Sequence, residues 1–151
     1  MKTAMTDQEK ATVAPDSAMN LGTPTAVANF IRFLETGVAP EGLFSPNLFS
    51  DVMLPHWRIQ AETAEGLLAI RKENHPWPGQ VRAARVENTE HGFTMEFEER
   101  WHNQGQEWYA RELALADVDG DTITELAIYC TGDWDEAQQR EHAAAIHIVR
   151  P

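Results

Sequence analysis

The stretch that most constrains this chain is Ala114 to Trp134, ALADVDGDTITELAIYCTGDW. Two apolar runs meet at Asp119-Gly120, a dipeptide favoured in tight hairpins because their corners need positive φ. Runs upstream end at similar punctuation, so strands are predicted at roughly 80–88, 93–102, 107–117 and 122–131. Their turns fall at His91-Gly92, Asn103-Gln104-Gly105 and Asp119-Gly120. A meander of long strands makes the second half an antiparallel sheet. Its apolar face must be covered, and the first half has to supply the cover.

That half contains helices. Thr23-Pro24 reads as an N-cap followed by proline at the first helical position. Val27, Phe30, Ile31 and Leu34 then form one apolar face, which Gly37 ends. Residues 39–46, with two prolines and a glycine, read as a loop. Leu48 to Gln60 is a strand candidate broken at Pro55, which implies an edge, a bulge or a bend. Thr63 to Lys72 is a second helix with Thr63 as its N-cap, stopped by His75-Pro76-Trp77-Pro78-Gly79. Asp135 to Ala145 closes the chain as an amphipathic helix. The fold class is α+β, with N-terminal helices packed on a curved antiparallel sheet to leave a cone with an open mouth. Residues 1–22 lack periodicity and are expected to be a disordered arm. Residues 23–145 form a single domain and 146–151 a tail.

A length of 151 residues suits one domain, and a net charge of −12 repels phosphate backbones and anionic lipid. Neither nucleic acid nor a membrane is expected as partner. The lone cysteine, Cys130, excludes an intrachain disulfide and a cysteine-based zinc site. No export signal or membrane span is read from the sequence, so the expected compartment is the cytoplasm.

The element order, the strand–Asp/Gly turn–strand close and the run Ile128-Tyr129-Cys130-Thr131-Gly132-Asp133-Trp134 resemble the SnoaL-like branch of the NTF2-like superfamily over about residues 24–140. The resemblance implies an apolar cone pocket, a small-molecule ligand and a homodimer through the outer sheet face. Superfamily members include isomerases, cyclases, dehydratases, epoxide hydrolases and binding modules, so fold alone does not name a reaction. Ketosteroid isomerases carry a base carboxylate before a proline where this chain has Leu54-Pro55. Their first-helix tyrosine is replaced by Phe30 and Phe33. Their pocket acid, on the strand before the Asp-Gly turn, matches Glu112.

The candidate catalytic residues are His56, Glu112 and Tyr129. His56 follows Leu54 by two, so strand alternation would turn both toward the cone and place an imidazole there to move a proton. Glu112 shares its face with Trp108, Ala110, Ala114 and Ala116. Burial would raise its proton affinity and an arginine partner would lower it. Tyr129 could donate from its phenol. Phe30, Phe33, Leu54, Trp57, Trp77 and Trp108 are the expected ligand-contacting residues. Glu96, Glu98 and His102 align at i, i+2 spacing, but such charged rows commonly face solvent, and no metal is expected. Nor is a cofactor. The expected function is cofactor-independent acid/base chemistry (isomerisation, cyclisation or dehydration/elimination) on an apolar organic or natural-product intermediate. The alternative is a non-catalytic ligand-binding or assembly module.

Overall fold

The computed structural model describes residues 24–151; the expectations for the 1–22 arm and the Thr23 cap lie outside these residues. Helix α1 (Pro24–Thr36) places Ala26, Phe30, Phe33 and Leu34 in the core. It ends where Gly37, at φ +74°, returns its N–H to the Phe33 carbonyl at 2.8 Å. Helix α2 (Ala64–Asn74) begins at Thr63, whose hydroxyl accepts from the Gly66 N–H. Helix α3 (Glu136–Ala145) begins in the same way at Asp135, which accepts from Gln138.

Six strands form one sheet: β1 (Phe44–Met53), β2 (Arg58–Ala61), β3 (Gly79–Asn88), β4 (Gly92–Asn103), β5 (Gln106–Asp119) and β6 (Thr122–Cys130). Their order is β2-β1-β6-β5-β4-β3. The pairings are antiparallel except β1 with β6, which run parallel, with Val52 opposite Ile128. The sheet is therefore mixed, not purely antiparallel, and its first strand is held by its last.

Leu54 to Trp57 is a tight turn, closed by reciprocal backbone bonds of 2.8 and 3.4 Å between its end residues. The Arg58 guanidinium reinforces it by gripping both Asp51 oxygens, at 3.1 and 2.7 Å. Pro55 and His56 are its corners. The expected single strand is thus two strands of a hairpin, and β1 starts at Phe44, inside the expected loop.

One sheet face carries Phe93, Met95, Phe97, Glu99 and Trp101 from β4, against Ala110, Glu112, Ala114 and Ala116 from β5. The alanines leave room for α1, where the Phe30 ring lies 6.2 Å from that of Phe93 and 6.3 Å from that of Phe97. Arg111 anchors the other face, with its Nη2 2.6 Å from Glu96 and its Nη1 3.0 Å from Glu98. Arg82 also holds Glu98, at 2.9 Å, so this acidic row is neutralised by arginines. No described helix is long and apolar enough to cross a membrane.

Gly79 lies opposite Trp101 across the β3–β4 pair. A Cβ there would run into the Arg100 carbonyl oxygen and stand 3.0 Å from the Trp101 Cβ. Gly79→Val is expected to cost about 1–3 kcal/mol of stability through overpacking, measured by urea unfolding.

Candidate functional site

Between the helices and the inner sheet face lies a cavity of about 70 Å³. Phe33 and Leu34 of α1, Leu67 and Ile70 of α2, Val52 and Ile128 of the sheet, and Leu54 give it apolar walls. Its polar atoms come from Arg71, Asn74, His75, Glu112, Cys130 and Asp133.

Residues 67, 70, 71 and 74 share one helix face at three- and four-residue spacing, which carries Arg71 inward beside Leu67 and Ile70. Its Nη1 is 3.0 Å from Oε1 of Glu99 and its Nη2 3.2 Å from Oε2. The same Nη2 donates to the Leu34 carbonyl at 2.7 Å. His75 places Nε2 3.2 Å from Glu99 Oε2. Burial, and then the nearby Arg71 charge, push this imidazole down to about 3, so it is neutral.

Glu112 differs. It is 8% exposed, and among the described residues no hydrogen bond or ion pair reaches its carboxyl. Desolvation first and the Glu99 carboxylate second hold its pKa well above the usual carboxylate range, with Arg71 opposing. Burial also pushes Glu99 up, but Glu99 has the bidentate arginine to oppose it. Of this pair, Glu99 is therefore the better placed to carry the charge and Glu112 to hold the proton. Asp133 lies at the cavity rim after Gly132, whose φ of +101° lets the chain depart from β6 before Trp134 bridges to Tyr109. Desolvation raises the pKa of Asp133 too. The Cys130 thiol is pushed up to about 12, chiefly by burial, so it is no thiolate nucleophile.

Of the residues expected from sequence, the cavity wall contains Glu112, Phe33 and Leu54. The others lie elsewhere. His56 is exposed at the hairpin corner, because the reversal at Pro55 ends the alternation that would have turned it inward. Trp57 is 71% exposed beside it. Tyr129 is 49% exposed and faces outward opposite Leu113, since Ile128 and Cys130 take the inner positions. Phe30 is packed in the core beneath the cavity. Trp77 and Trp108 flank Trp101 in an adjoining cleft. Arg71, His75, Glu99 and Asp133 were not anticipated. The available signals were the Leu67-Ile70-Arg71-Asn74 stripe and the single acid in the inward row of β4.

Solved structures place this architecture. A hypothetical protein with ketosteroid isomerase-like fold from Catenulispora acidiphila, in complex with trimethylamine, superimposes with a TM-score of 0.59 at 15% identity, covering 71% of this chain and 85% of its own. An NTF2-like protein from Anabaena variabilis gives 0.56 at 19% identity, over 82% and 96%. An LEH-like epoxide hydrolase from M. tuberculosis gives 0.55 at 14%, over 70% and 79%. No protein-family model and no curated protein matches the sequence. At these identities the likeness establishes fold: the chain has the NTF2-like α+β cone architecture, which known enzymes and proteins of unknown function share.

Proposed function

We infer that this chain is a cofactor-independent acid/base enzyme acting on a small organic molecule, with Glu112 as the group that moves the proton. One observation carries the reading: a buried carboxyl with no hydrogen-bond or ion-pair partner among the described residues faces an apolar cavity, where desolvation raises its proton affinity. In water such an acid would be ionised at neutral pH. Here it can donate to a ligand oxygen.

A dehydration illustrates the proton balance. Glu112 gives its proton to a departing hydroxyl, the C–O bond breaks, and water leaves. The resulting carboxylate, which Arg71 stabilises through space, takes the neighbouring C–H proton as the double bond forms. The carboxyl is thereby regenerated. An isomerisation uses the same group to give a proton at one atom and take one from another. Arg71, with Glu99 and His75, is the positioning apparatus, fixing a nearby positive charge without competing for the ligand.

The test is a thermal-shift screen of small carbonyl and hydroxy compounds, followed by turnover of the hits. Glu112→Gln is expected to lower kcat by about 10²–10⁴-fold, the usual range for a general acid or base, and His56→Ala to leave it unchanged. Full turnover by Glu112→Gln would remove Glu112 from the chemistry, whereas binding of hits without any turnover by the parent chain would favour the binding-module alternative, which the outward Tyr129 and His56 support.

A homodimer is part of the same reading. Leu113, Leu115 and Tyr129 are exposed together on the outer faces of β5 and β6, in register across that pair, and a second copy would cover them. Sedimentation should show a dimer that Leu113→Glu converts to monomer.

A further inference from the structure

Beside the cavity the indoles of Trp77, Trp101 and Trp108 form a near-parallel ladder. The Trp77 and Trp101 centroids are 6.4 Å apart with planes at 6°, and those of Trp101 and Trp108 are 6.3 Å apart at 11°. His75 meets Trp101 edge-on at 4.3 Å, which ties the ladder to the cavity wall. The three rings bound a cleft of about 200 Å³ completed by Asn103, Gln104 and Asp133. Asp133 also lines the cavity, so this residue borders both spaces.

The chemistry of the cleft is one-sided. Ring faces carry negative potential and attract cations. Among the described residues no basic side chain lines the cleft, and nothing hydrogen-bonds to or pairs with Asp133. Arg71, the only arginine or lysine in the cavity wall, is engaged by both oxygens of Glu99. A net charge of −12 adds a field that draws cations toward the protein. An anionic head group would be repelled at Asp133. A neutral aromatic could stack but would gain nothing from that carboxylate. About 70 Å³ of cavity admits only a small end of a ligand, and the cleft of about 200 Å³ that shares Asp133 with it has room for more.

We propose that the ligand of this site is an organic cation, an alkylated ammonium seated against the tryptophan ladder and Asp133, with its other end directed to Glu112. This rests on the proposed function for the placement of that far end. The ammonium subsite itself stands on the ladder and the carboxylate.

Choline and 3,3-dimethylbutan-1-ol have the same shape and differ in charge, so titration calorimetry of both against the full chain at pH 7.5 isolates the cation. Choline is expected to bind at least tenfold more tightly. Asp133→Asn should cut that preference severalfold, leaving the part due to the ring faces, and Trp77→Leu, at a partly exposed rung, should weaken choline severalfold. Equal affinities, no choline binding, or a preference undiminished in Asp133→Asn would each overturn the proposal. Turnover of Glu112→Gln is a separate readout. A choline preference with Glu112-independent turnover retains the cation subsite and sinks the proton-transfer reading; the converse result does the opposite.

Discussion

Arg71→Met is expected to lower the unfolding free energy by about 3–5 kcal/mol, the usual cost of stranding one partner of a buried ion pair. Glu99 would lose both guanidinium contacts and keep only His75, which is neutral. The link from α2 to the Leu34 carbonyl at the end of α1 would go as well. Domains of this size are stable by only about 5–15 kcal/mol, so the variant should be poorly folded at 37 °C. The loss should shrink toward pH 5, where the stranded Glu99 can take up a proton. Adding Glu99→Leu should recover much of it, because an apolar pair leaves no charge to strand. Urea unfolding of the two variants at pH 7.5 and pH 5 checks this. A loss below about 1 kcal/mol for Arg71→Met would place the pair with weak surface bridges.

How far these features were legible from residues alone depends on the range of the interactions that set them. The β3–β6 meander follows from local alternation and Gly turns, and each observed strand matches its expected span within about two residues. The Thr63 cap is equally local. The β1–β2 hairpin was missed because Pro55 reads as a bend when nothing reveals that Arg58 reaches back to Asp51. Alternation carried across that turn put His56 on the wrong side. The parallel pairing of β1 with β6 joins segments about 75 residues apart, and no local pattern encodes such a partner.

The same division runs through the site. Glu112 stood out as an acid among alanines, an irregularity within one strand. Glu99 presents the same irregularity in the row Phe93, Met95, Phe97, Glu99 and Trp101, yet its bulky neighbours assign that row to the core. Its burial makes sense only with Arg71, which comes from a helix 28 residues earlier. Asp133 depends on the left-handed Gly132 and the Tyr109–Trp134 bridge, both products of the assembled sheet.

Glu112→Gln is expected to be more stable than the parent chain above about pH 5 while losing about 10²–10⁴ in turnover. Glutamine imitates the protonated acid, so the two proteins should be equally stable below about pH 4, where Glu112 is protonated in both folded and unfolded states. As pH rises, the unfolded chain releases its proton near the ordinary carboxylate pKa of about 4.3, whereas the folded one keeps it. Parent stability therefore falls relative to the variant, by up to about 1.4 kcal/mol per pH unit, until the folded carboxyl ionises. His75 has the opposite sign. Its folded pKa of about 3 lies below the unfolded 6.5, so its contribution is present above pH 6.5 and is lost as pH falls toward 3. Glu112 and His75 thus oppose each other between about pH 4.3 and 6.5, and subtracting the variant profile from the parent profile isolates Glu112. Under the proposed function, kcat/KM of the parent chain should fall on the alkaline side, as the general acid loses its proton. Parallel stability profiles would mean that Glu112 is ionised in the folded chain, and then no acid stands ready in the cavity. A variant both stabler and inactive is the outcome for a carboxyl held at a cost to the fold because the reaction needs its proton.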